Sequence, residues 1–200
     1  MTVAAPLALP PAAQVLERTR SRNAAVVATA LYGLAALALT AALIGAYTAF
    51  RSGVSPWPPA GVKKENYFGT LLLAASGMLM LTAEWMVWAV IHDIRRQTAQ
   101  ASGLAAFLLL AMLNGVLFTI DEADFGAATH AYGAIFYAFM VVAVLTQLAA
   151  LAAVVVGLAR TAGRQISPTE PQLARVVAIV LQVAALTWVM VWGALYAGSR

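Results

Sequence analysis

Side chains able to do chemistry are few in this chain, and each stands apart from the others. Glu84 is the one acidic residue inside an apolar run, the stretch 67–91. An ionised carboxylate at such a position costs a few kcal/mol unless it is paired, hydrated or protonated. It suits a proton- or ion-handling site. It equally suits a carboxylate that snorkels to the inner headgroups or pairs with Arg95 or Arg96, and its place about two turns from the helix end favours this second role. A second group, Asp121, Glu122, Asp124 and His130, offers three carboxylates and an imidazole of the kind that hold a hard cation. Their spacing matches no ligand motif, so a solvated acidic loop is the preferred reading. His92 and His130 are the only imidazoles. They fall at an inner helix end and in an outer connector, so they cannot pair across one bundle core. Cysteine is absent, which removes disulfides, thiolate metal ligands and thiol nucleophiles together. The chain has no phosphate-binding glycine loop, no HExxH and no G-x-S-x-G. No self-contained active site is expected, and no cofactor bound by this chain.

The elements that must carry these residues are set by composition. Of 200 residues, 62% are hydrophobic and only 10% charged, with a mean hydropathy of +0.84. Soluble domains are about a quarter charged, so a water-facing surface cannot be built from this sequence. The runs 23–50, 97–120, 125–159 and 176–199 contain no Asp, Glu, Lys or Arg, and a bilayer core takes about 20 apolar residues of helix. With the stretch holding Glu84, this predicts an all-α membrane bundle of five transmembrane helices over about 24–50, 67–91, 102–120, 131–159 and 176–197. Residues 1–22 form a cytoplasmic arm with a short interfacial helix over 14–22, and residues 23–200 the membrane domain. Arg18, Arg20, Arg22, Arg95, Arg96, Arg160, Arg164 and Arg175 lie on one side, against Arg51, Lys63, Lys64 and Arg200 on the other. The excess of cations marks the cytoplasmic face, so the N-terminus is inside and the C-terminus outside. The net charge of +4 is thereby explained by topology, and no nucleic-acid partner is expected.

Local signals refine this layout. Ala41 and Gly45 make a small-x-x-x-small pair that would let another helix come close. Asn114 beside Gly115 also suits a helix contact. Tyr132, Phe136, Tyr137 and Phe139 read as an outer aromatic belt, and Trp188, Trp192 and Tyr196 recur at four-residue steps on one face near the same interface. Ser55-Pro56-Trp57-Pro58-Pro59-Ala60-Gly61-Val62 must be a turn, because its prolines fix φ and remove backbone donors. Its Trp57 is expected among the headgroups.

The order of these features resembles subunit III of the haem-copper (cytochrome c) oxidases in the shorter, five-helix bacterial form. Trp57-Pro58-Pro59-Ala60-Gly61-Val62 is similar to that family's W-P-P-x-G-I/V loop and is followed by a span with Ala74-Ala75-Ser76-Gly77. Gly115-Val116-Leu117-Phe118 looks like its G-x-x-F segment, with an acidic stretch after it. Tyr132-Gly133-Ala134-Ile135-Phe136-Tyr137 resembles Y-G-S-x-F-F/Y, and Trp188 and Tyr196 fit a W and Y eight apart. The family's acidic position before the loop falls on Ala36, its paired histidines on Ala143 and Thr146, and its W-H-x-x-D on Leu181, Gln182 and Ala185. The lipid and proton-uptake roles of those residues are therefore not carried over.

The resemblance implies a bundle with a lipid-filled, V-shaped cleft between the first two helices and the rest. It implies an accessory, non-catalytic subunit in the bacterial inner membrane, with haem and copper held by the catalytic subunit I and other oxidase subunits as partners, and phospholipid bound. Gly77, Gly115, Tyr132, Gly133, Phe136, Trp188 and Tyr196 would serve helix packing. An accessory protein of a nitric oxide reductase, an assembly factor, and a small proton-coupled transporter using Glu84 are the alternatives.

Overall fold

A computed structural model describes residues 11–60, 62, 66–163 and 171–197, with side chains from residue 23 onward. Residues 1–10 of the arm, Gly61 of the proline loop, Lys63 and Lys64, the connector 164–170 and Arg200 lie outside the described residues. Five helices account for almost all of the rest: α1 (Pro11–Gly53), α2 (Asn66–Ile91), α3 (Arg95–Asp121), α4 (Ala131–Ala162) and α5 (Gln172–Leu195). Each is long and apolar enough to cross a bilayer. In hydrocarbon every backbone N–H and C=O must be satisfied within the segment, which leaves helix as the form open to apolar runs of this length. The protein is an all-α, multi-pass membrane bundle.

Several boundaries differ from the sequence expectation, for local reasons. Residues 11–22 continue α1 and do not form a separate interfacial helix. At the other end α1 stops at Gly53, just ahead of Pro56, Pro58 and Pro59, which cannot extend it. The connector between α2 and α3 shrinks to a turn, and α3 begins at Arg95 where 102 was expected. Asp93 takes the left-handed conformation, with φ 55°. Its N–H donates to Val90 O at 3.1 Å, and that of Ile94 to Ala89 O at 2.9 Å, the two bonds of a Schellman stop.

The four helices α2 to α5 close a ring, α2 against α3, α3 against α4, α4 against α5 and α5 back against α2; α1 leans from outside on α4 and α5. The first two helices are therefore not a pair set apart by a cleft from the other three, as the resemblance implied. α2 belongs to the ring. The core holds Trp188, Phe139, Leu79, Leu109, Met112, Met140 and Leu181, all closed to solvent.

Small residues decide where helices approach. A Cβ on Gly33 would stand 2.8 Å from Val183 Cγ2, so this glycine seats α1 on α5, while Gly45 and Gly77 have nothing within 4 Å. The expected Ala41 and Gly45 pair faces outward. The outward face of Gly77 likewise gives it no helix-packing role.

Candidate binding site

The outer mouth of the ring is walled by aromatic side chains from α2, α3, α4, the α3–α4 connector and the residue that follows α5. α3 ends with Phe118, whose ring lies 4.6 Å from that of Phe68 at the start of α2. Across the mouth, Phe125 of the α3–α4 connector packs on Tyr132 and Phe136 in the first turns of α4, with centroids 5.7 and 5.2 Å apart. Tyr196, just past α5, completes the wall. Between them is a cavity of about 290 Å³, whose rim carries Glu122 and Asp124.

Local bonding fixes this geometry. His130 is the N-cap of α4, and its Nδ1 accepts from the Gly133 N–H at 2.8 Å, satisfying one of the donors that a helix start leaves open. The imidazole is thus occupied as a cap and is not gathered with Asp121, Glu122 and Asp124 around a cation; among the described residues no three His, Asp or Glu side chains converge. Tyr137 Oη donates to Phe125 O at 2.9 Å and holds the connector over the mouth. Two glycines make room for the walls. A Cβ on Gly69 would come within 2.8 Å of the Tyr196 ring, and one on Gly133 within 2.6 Å of Gly126 O. Gly115 does the same one turn deeper, 2.6 Å from Leu72 Cδ2.

The α3 end of the mouth is acidic. The C-terminus of α3 points its open carbonyls there, and a helix C-terminus favours cations, by about 0.3–1 kcal/mol per charge at an exposed site. α3 has no basic residue in its last turn and instead meets Glu122 and Asp124, which form no ion pair with another described residue. Tyr132 lines the cavity and is only 5% exposed.

The remaining expected residues fall elsewhere. Trp57 is half-buried and packed on other rings. It inserts between Tyr47 of α1 and Tyr132 of α4, at 5.6 and 5.4 Å edge-to-face, and so ties α1 to the ring. Pro58 and Pro59 turn the chain beside it. Trp188 is buried, and its Nε1 donates to Gly69 O at 3.4 Å, which joins α5 to α2; it belongs to the core and not to an interfacial belt. Phe136 and Tyr132 are likewise buried.

Glu84 pairs with neither Arg95 nor Arg96. Gln182 of α5 donates Nε2 to Glu84 Oε1. Glu84 itself is exposed on the membrane-facing stripe of α2, with Leu81 before it and Trp88 after it. It stands roughly 10 Å of helix from the inner end of α2.

The sequence matches no family model and no curated protein. Phe68, Phe118 and Phe125 carry no site signal of their own in the sequence. Their common signal is position, each at a helix end on the outer side, but nothing in a linear sequence says that these ends converge.

Proposed function

We propose that this membrane protein is a non-catalytic accessory subunit that braces a larger complex in the bacterial inner membrane. The complex is a respiratory haem-copper oxidase, as the resemblance to subunit III implies. The observation that carries this reading is the polar pair Glu84 and Gln182 on the outer flank of the bundle. An isolated bundle sets this carboxylate against lipid at a depth where charge is costly. A neighbouring chain covering α2 and α5 would replace acyl chains with protein and with polar partners, and interhelical hydrogen bonds of this kind serve such contacts. In this reading haem and copper belong to the neighbour, and phospholipid fills the edges of the contact.

The outward placement of Glu84 speaks against the transporter reading, which needs the titrating carboxylate on an internal pathway. Purification in a mild detergent tests the proposal. A large haem-bearing partner is expected to accompany the wild-type chain, and Glu84→Leu with Gln182→Leu to reduce its recovery. Isolation of a lone, colourless, stable monomer would overturn the proposal. The reaction of the recovered partner, oxygen or nitric oxide reduction, separates the oxidase from the reductase variant. Loss of proton-coupled flux in vesicles of Glu84→Gln would instead restore the transporter.

A further inference from the structure

We propose that the outer mouth of the α2–α5 ring is a binding site for a small organic ammonium cation, a group the size of an alkylammonium or trimethylammonium head. This goes beyond the bracing role and does not depend on it. Two independent features agree on the charge and shape of the occupant. The walls are aromatic, with Phe68 and Phe118 on one side, Phe125 and Phe136 on the other. Aromatic faces carry negative quadrupole density, and several of them around one space attract an organic cation that sheds its water easily. The rim supplies full negative charge through Glu122 and Asp124, unpaired with any described cation, at the negative end of α3.

The same features discriminate against other occupants. Carboxylates on the rim repel anions such as phosphate or a fatty acid. A bare alkali or alkaline-earth ion needs several oxygens at close range, and among the described residues no three His, Asp or Glu side chains converge to supply them. At about 290 Å³, the space is at the small end of ligand cavities and fits a headgroup better than a chain.

The ammonium group has two possible sources, a soluble amine on the outer side or the headgroup of a choline or ethanolamine phospholipid. Titration calorimetry of the full chain in maltoside micelles, which contain no ammonium group, tests the shared chemistry. Choline and tetramethylammonium are expected to bind, and the neutral carbon isostere of choline to bind at least about tenfold more weakly. Glu122→Gln with Asp124→Asn, both exposed and so compatible with folding, is expected to lower choline affinity at least about tenfold. Phe125→Leu is expected to lower it about threefold to tenfold.

Repeating the titration in nanodiscs assigns the source. If choline binding weakens in phosphatidylcholine discs but not in phosphatidylglycerol discs, the bilayer headgroup is the ligand; equal binding in both assigns a soluble amine. Equal affinity for the neutral isostere, equal competition by potassium, indifference to the double substitution, or no choline binding at tens of millimolar would each overturn the proposal.

Discussion

The most apolar stretches of α1 and α5 are equally apolar, yet the two helices occupy opposite places in the molecule. In α1 only 11% of the most apolar window is buried by the protein, and in α5 56%. α5 touches α1, α2 and α4, whereas α1 rests on two neighbours. In water such a difference would be written into the sequence as an amphipathic stripe. In a bilayer the lipid is as apolar as leucine, so hydrophobicity does not rank helices by centrality. Fit and polar contacts do. α5 brings Trp188 to the Gly69 carbonyl and Gln182 to Glu84, whereas α1 is held by the Gly33 notch on Val183 and by Tyr47, which packs on Tyr132, Phe139 and Trp57.

The largest expected effect contrasts the two helices directly. Trp188→Ala in α5 should cost about 3–5 kcal/mol, since it empties a closed site. Leu34→Ala in α1, where the side chain is 67% exposed, should change stability by less than about 0.5 kcal/mol. Unfolding in mixed micelles measures both, and comparable losses would break the contrast.

A smaller effect separates two glycines on the same helix. Gly33→Val drives a side chain into Val183 and should destabilise by about 1–3 kcal/mol, while Gly45→Val meets open space and should be neutral within about 0.5 kcal/mol. Cross-linking between α1 and α5 reports the first as a loosened contact. If Gly45→Val loosened it as much, the notch would not be what seats α1.

The smallest effect sharpens the account of α5 as the hub. A double-mutant cycle on Glu84 and Gln182 should return a coupling near 0.6 kcal/mol and not above about 1.7 kcal/mol, the range for hydrogen bonds between membrane helices. A coupling of zero in the isolated chain, with a sizeable one in the complex, would move the pair's role entirely to the partner contact.

The five spans were legible because length and apolarity are local properties, and a run without charge of this size has little alternative to crossing the membrane as helix. The site was legible only in fragments. Glu122 and Asp124 were visible as an acidic loop, and Tyr132 and Phe136 as aromatics near an interface. That loop and those aromatics face one cavity, a fact of ring closure. The same holds for Trp57 and Trp188, whose type suits a headgroup belt but whose neighbours, Tyr47 and Tyr132 for one and Gly69 for the other, are supplied by distant stretches of chain. Gly45 and Gly77 show the converse error. Small residues permit a close approach, but they do not say which helix comes.

Sequence by itself determined that this protein is helical, crosses the membrane five times and carries its excess of arginines on one face, because each follows from residues close together in the chain and from the bilayer as solvent. The tertiary structure alone decided that α5 is central and α1 peripheral, that Glu84 meets Gln182 on the outer flank, and that six aromatic rings and two carboxylates enclose one space at the mouth. The reason is that lipid and protein interior are nearly equivalent surroundings for an apolar side chain. The choice between them is then made by shape and by a handful of polar contacts, which exist only once the helices have met.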